Sequence, residues 1–209
     1  MTAKFVKLVT LAAVVVLSAS CGDVVRDGRS PVLLVVKQFQ AASGADEKFG
    51  GTLLSDVITM VTKPAPCSAS APCASVFNDS GEVILSLQLK DPGSLGVAAS
   101  PSLTNTVTIN RYRVEYLRTD GRNTPGVDVP YGFDSAVTST VPSDGDVKIG
   151  FNLVRHAAKE EAPLRALADS GQFISVIATV TFYGQDQAGN EVSVASRIGI
   201  DFGNFADPQ

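Results

Sequence analysis

Three observations predict an all-β fold, an antiparallel β-sandwich carrying one short helix. From Pro31 onward the apolar residues recur with a period of two, the signature of strands with one buried face. Turn residues interrupt that alternation at short intervals. The result is about seven or eight short strands with little helical patterning between them. A length of 209 residues suits one domain, and 44% hydrophobic against 18% charged residues excludes a disordered chain. A net charge of −4 excludes a strongly basic nucleic-acid binder.

The chain begins with a segment of another kind. Lys4 and Lys7 form a basic start, Leu8 to Leu17 is uncharged with Thr10 its one polar residue, and small residues Ser18, Ala19 and Ser20 lead to Cys21. That order reads as a secretory signal over residues 1–20, too short for the roughly 20 apolar residues of a spanning helix. Leu17-Ser-Ala-Ser-Cys21 resembles a bacterial lipobox, with Ser18 three places before the cysteine and Leu17 four. The resemblance implies that Cys21 becomes the lipid-modified first residue and that a multiple acyl anchor holds the chain on a membrane without spanning it. Residues 21–30 then form a tether of at most roughly 30 Å. Lys4 and Lys7 leave with the signal and no acid does, so the charge of the remaining chain is −6. Such a surface is repelled by nucleic acid and by anionic headgroups.

Val32–Gln40 and Leu53–Val61 are the first strand candidates, rich in β-branched residues. Cys67 and Cys73 follow in a Pro-, Ser- and Ala-rich stretch. Export favours a disulfide between them, and neither a zinc ligand set nor a CxxC motif is present. Val83, Leu85, Leu87 and Leu89 form one face of the next strand. Ala98–Asn105 is the most linker-like interior stretch, yet one-sided strands flank it, so residues 31–209 read as one domain. Thr104–Arg118 has two distinct faces: Tyr112, Val114 and Tyr116 suit the core, and Arg111, Arg113 and Glu115 suit solvent. Further alternation covers 147–153, 176–182 and 192–202. Between the first two, Pro163, Leu164, Leu167 and Gly171 predict a short helix from about Ala162 to Asp169, with Glu160 and Glu161 near its start.

The last two strands meet at Asp186-Gln-Ala-Gly-Asn190, where a glycine and an asparagine tolerate positive φ and the Asp186 carboxylate can cap the turn amides. Residues 178–194 resemble the D-x-A-G-N hairpin of bacterial immunoglobulin-like and fibronectin-III-like domains. That resemblance implies an immunoglobulin-like sandwich and no particular activity. A Cys-Trp-Cys core signature is missing, since the chain has no Trp.

Chemistry is sparse. His156 is the one imidazole, so a serine or cysteine triad must use it, and no phosphate-, dinucleotide- or zinc-binding motif occurs. Asp128, Asp134, Asp144 and Asp146 lie in turns without EF-hand spacing. No catalytic residue, cofactor or metal ligand is expected. Thr119–Asp134 is the best candidate surface, a long loop carrying Arg122, Asn123, Tyr131 and Phe133, the side-chain types of interface hot spots; the alternative is that Tyr131 and Phe133 cap the open end of the sandwich. The chain as a whole looks like the bacterial lipoproteins built from a signal, a tether and a sandwich. The expectation is a non-enzymatic protein, exported and lipid-anchored in the bacterial cell envelope at the periplasmic or outer surface. It would bind or scaffold an envelope protein partner. A glycan- or calcium-binding module is the alternative.

Overall fold

The computed structural model describes residues 28–46, 48–91, 93 and 99–206. The signal segment, Cys21 and most of the tether lie outside the described residues. Among the described residues ten strands form: β1 (Val32–Ala42), β2 (Thr52–Asp56), β3 (Thr59–Val61), β4 (Cys73–Ser75), β5 (Asp79–Leu89), β6 (Val107–Leu117), β7 (Phe133–Val141), β8 (Asp146–Val154), β9 (Ile174–Asp186) and β10 (Glu191–Gly203). The same residues hold one turn of α-helix, α1 (His156–Lys159), and two 3-10 turns at Leu103–Asn105 and Leu164–Leu167. None of the helices among the described residues is long and apolar enough to cross a membrane.

The strands divide three against five. One sheet runs β1-β5-β8 and the other β2-β10-β9-β6-β7, with β3 and β4 as a separate hairpin. Every pairing is antiparallel except β2, which runs parallel to β10. The chain crosses sheets after β5, returns to the first for β8, and returns again so that β9 sits between β6 and β10. This is the expected antiparallel sandwich. Leu53–Val61, read as one strand, is split because Val57 turns into the core and ends β2 there. Strand β7 was hidden in the sequence by its alternation of serine, threonine and small residues.

The inward rows follow the period of two. Val176, Ala178, Val180 and Phe182 of β9 are all buried, as are Tyr112, Val114 and Tyr116 of β6. They meet Val83, Leu85, Ile149, Phe151 and Leu153 from the facing sheet in one core. Phe151 is its centre, 5.1 Å from both the Tyr112 and Phe182 ring centroids. Its cross-strand partner is Gly81, where an added Cβ would stand 2.4 Å from the ring. The two tyrosines keep their hydroxyls satisfied across the sandwich: Tyr112 donates to the Asn152 carbonyl at 3.2 Å and Tyr116 to the Leu153 carbonyl at 2.7 Å. Burial pushes the Tyr116 phenol far up, so it acts as a neutral donor.

The helix expected over 162–169 is corrected. Leu164 and Leu167 are both buried from a 3-10 turn, whose three-residue repeat stacks them on one side. The α-helical turn comes earlier, and Glu160 is its C-cap rather than part of a helix start. Gly171 at φ 62 ends the segment.

Candidate functional site

The chain enters the sandwich at one end. The Gly28 carbonyl accepts from Lys90 Nζ, the Pro31 carbonyl accepts from the Lys90 amide, and the Ser30 hydroxyl bonds Asp186. The β5–β6, β7–β8 and β9–β10 connections share that end. The opposite, far end carries the β1–β2 connection, the β3–β4 hairpin, residues 118–132 and residues 155–173.

The expected loop belongs to the far end and is held from within. Val129 and Pro130 turn inward, the Gly126 amide donates to the Val129 carbonyl at 2.8 Å, and Asp128 accepts from the Thr124 amide at 3.2 Å. Asn123 is a structural residue: its Oδ1 accepts from the Arg118 amide at 2.6 Å and its Nδ2 donates to the Arg118 carbonyl at 3.4 Å. Arg122 and Arg118 both donate to Asp120. Hydrogen bonds from Arg122 hold the Asp120 carboxyl down to about 2. Tyr131 is 55% exposed and lies against Gly126, which takes a φ of 76 and where an added Cβ would stand 2.4 Å from the Tyr131 hydroxyl. Phe133 is not part of this surface. As the first residue of β7 it turns inward, meets Tyr112 edge-on at 6.2 Å, and is covered by the Arg155 guanidinium at 4.2 Å. The structure therefore brings Arg122, Asn123 and Tyr131 to one face and withdraws Phe133.

Apolar residues from other strands join them. Tyr131, Asn123 and Pro125 line a shallow groove with Leu117, Glu115 and Arg113. Leu117 pairs with Ile177 across β6 and β9, and Ile177 pairs with Gly199 on β10. All sit on the outward face of the five-stranded sheet, and Leu54 lies on the adjoining outward row of β2. Leu54 is 58% exposed, and Phe173, just before β9, 68%. Met60 and Phe49 are exposed on neighbouring far-end segments, and Val127 at the loop tip. Thus eight of the ten exposed large hydrophobic residues among the described ones stand at the far end; Leu33 and Leu103 do not. The signal for Leu117 and Ile177 was present in the sequence. Each continues the outward row of its strand, after Arg113 and Glu115 or beside Ser175 and Thr179, where a polar residue is the rule.

Several of the charged and metal-type residues are engaged with the protein itself. Asp134 pairs with Arg111 and Arg113, and Asp146 with Lys37. His156 contacts Asn78 at the far-end surface, with its Nδ1 3.1 Å from Asn78 Oδ1. No group of three or more His, Cys, Asp or Glu among the described residues could hold a metal ion. A polar hollow on the outward sheet face is lined by Asn110, Arg111, Tyr183, Gln185 and Glu191. There the Arg111 guanidinium covers the Tyr183 ring at 4.0 Å, occupying a face on which a sugar would stack.

The far end also has a buried ionic anchor that sequence reasoning missed. Lys159, from α1, and Asp79, the first residue of β5, meet at 2.8 Å with side chains 1% and 0% exposed. Lys159 Nζ also donates to the Asp56 carbonyl at 2.8 Å, while Asp79 accepts from Ser55 Oγ at 2.6 Å and the Gly44 amide at 3.1 Å. Four segments, α1, β5, β2 and the β1–β2 connection, are thereby tied at one point. Nothing in the local sequence sets Lys159 apart from an exposed helical lysine. Cys67 and Cys73 form a disulfide that closes the β3–β4 hairpin.

The chain matches no protein-family model and no curated protein.

Proposed function

We propose that the chain is an exported, lipid-anchored, non-enzymatic module that binds a cell-envelope protein through its far end. The observation that carries this reading is the one-sided distribution of exposed apolar side chains. Leu54, Phe173, Ile177 and Leu117 lie on a rigid sheet face and its border, with Tyr131 beside them, at the end away from the chain's entry. Exposed apolar side chains gathered at one end, with an aromatic residue and an arginine near them, suit protein recognition. A tether entering at the opposite end, as the lipobox resemblance implies, would leave that surface facing away from the membrane. The binding face differs from the sequence expectation: Tyr131 and Arg122 remain, Phe133 leaves, and Leu54, Leu117 and Ile177 enter.

The test is cross-linking of intact cells that express the full chain, followed by mass spectrometry. One recurrent envelope partner, cross-linked through residues near 119–131 or 173–177, is expected. A Leu54→Ser, Leu117→Ser, Ile177→Ser chain should keep its stability within about 1.5 kcal/mol, at about 0.5 kcal/mol per exposed site. It should lose that cross-link. Undiminished recovery by the triple variant removes the face from the proposal. An unmodified N-terminal peptide in the same spectra removes the anchor.

A further inference from the structure

The Lys159–Asp79 contact sets an amine against a carboxyl in a site closed to water. Lys159 Nζ stands 2.8 Å from Asp79 Oδ1, and both side chains are essentially unexposed. The carboxyl has two further donors on it, Ser55 Oγ at Oδ2 and the Gly44 amide at Oδ1. An amine and a carboxylic acid held this way have the reactants of an amide, and the fold supplies their proximity.

We propose that Lys159 and Asp79 react to form an intramolecular isopeptide bond that joins α1 to the start of β5. The proton of the ion pair first moves from Nζ to Asp79 Oδ1 along their hydrogen bond, leaving a neutral amine and a neutral acid. The Nζ lone pair attacks Asp79 Cγ, forming the C–N bond. The Ser55 hydroxyl, already on Oδ2, stabilises the negative charge that develops on that oxygen. The second Nζ proton passes to Oδ1, the Cγ–Oδ1 bond breaks, and one water leaves. No oxidant, reductant or second substrate is consumed. Desolvation by burial pushes the Asp79 carboxyl above its ordinary value, towards the neutral acid, against the pull of Lys159. The same exclusion of water protects the product from hydrolysis. This inference is independent of the proposed binding face.

The experiment is a tryptic map of the full-length protein, purified from the cells that express it, denatured and reduced before digestion. The expected result is no cleavage after Lys159. A branched peptide should appear that contains Asp79 and Lys159 and weighs one water less than its two arms together. Asp79→Ala and Lys159→Arg chains, which need not be folded for this readout, should give the two linear peptides at full mass. Quantitative recovery of the linear peptide ending at Lys159 from the unaltered chain overturns the proposal. So does a water loss that maps elsewhere, for example to a cyclised Asp120-Gly121.

Discussion

The two ends of the sandwich are built on different principles. At the end where the chain enters, two described turns are closed mainly by their own residues, although Gln187 also donates to Thr106 and Lys90 to the Gly28 carbonyl. The β9–β10 turn is held by Asp186, which accepts from the Ala188 and Asn190 amides and the Asn190 side chain, each at 2.9 Å, while Gly189 takes a φ of 78. The 3-10 turn at Leu103–Asn105 is likewise closed between Ser102 and Asn105. At the far end residues 118–132 are likewise held from within, but the β1–β2 and β8–β9 connections are closed by residues distant in sequence. Lys159 is 80 positions from Asp79 and 103 from Asp56, and the Asn78 side chain accepts from the His156 amide across 78 positions. Loops fixed from beneath by a shared anchor can keep their outer faces apolar and still hold one shape.

The largest test of that contrast is Lys159→Met. It leaves Asp79 buried without its partner, and removing one member of a buried pair costs about 3–5 kcal/mol against a chain in which the two groups remain unlinked. Urea unfolding should show at least that loss. A chain carrying both Lys159→Met and Asp79→Leu should recover the part due to the unpaired carboxyl, because two apolar residues need no partner, and not the part due to an α1–β5 isopeptide bond. Hydrogen exchange in the single variant should rise first in residues 43–51 and 155–173, with the β9–β10 turn unchanged. A uniform rise would mean that the anchor supports the whole sandwich and not one end.

The same contrast explains what the sequence disclosed. Strand alternation exposes one side chain in two to the core, so β5, β6, β8, β9 and β10 were legible with their inward rows. The Asp186 turn was legible because its partners lie within four residues. The disulfide could be read from the pairing of two cysteines in an exported chain. The anchor could not, since Lys159 sits in Lys-Glu-Glu, a run that looks solvated until the fold places Asp79 and Asp56 beside it. Phe133 was misread for a related reason. A loop of about the right composition continued into a strand whose Ser, Ala and Thr residues carry almost no alternation, so its first inward residue looked like a loop aromatic. The one-turn helix and the 3-10 turn were merged into a single helix because proline and glycine mark boundaries without fixing the number of residues per turn.

A smaller effect is expected from the disulfide. Its six-residue separation closes a short loop, for which chain entropy predicts about 2 kcal/mol. Replacing Cys67 and Cys73 by serine should lower global stability by no more than that. It should raise amide exchange in Thr59–Ser75 and leave the entry end untouched. Loss of the envelope cross-link on this change, with the sheet intact, would extend the binding surface to the hairpin that carries Met60.

The smallest effect should come from the entry end. Burial alone would raise the Asp186 carboxyl, but hydrogen bonds from Asn190, Ser30 and Ala188 overcome it and hold the group below its ordinary value of 3.8. A carboxyl depressed in the folded state binds fewer protons there than in the unfolded chain. Its contribution is therefore complete above the ordinary value and is lost as pH falls through the folded one. Asp186→Asn removes that linkage and sets its own amide against that of Asn190, a loss of about 1–2 kcal/mol at neutral pH. The variant should be distinguishably weaker at pH 7 and converge on the parent in strong acid, so its acid limb should be the shallower. Because the turn closes on itself, the far-end amides should keep their protection throughout. If they do not, the two ends are coupled through β9 and β10, and the division between a self-contained end and an anchored one fails.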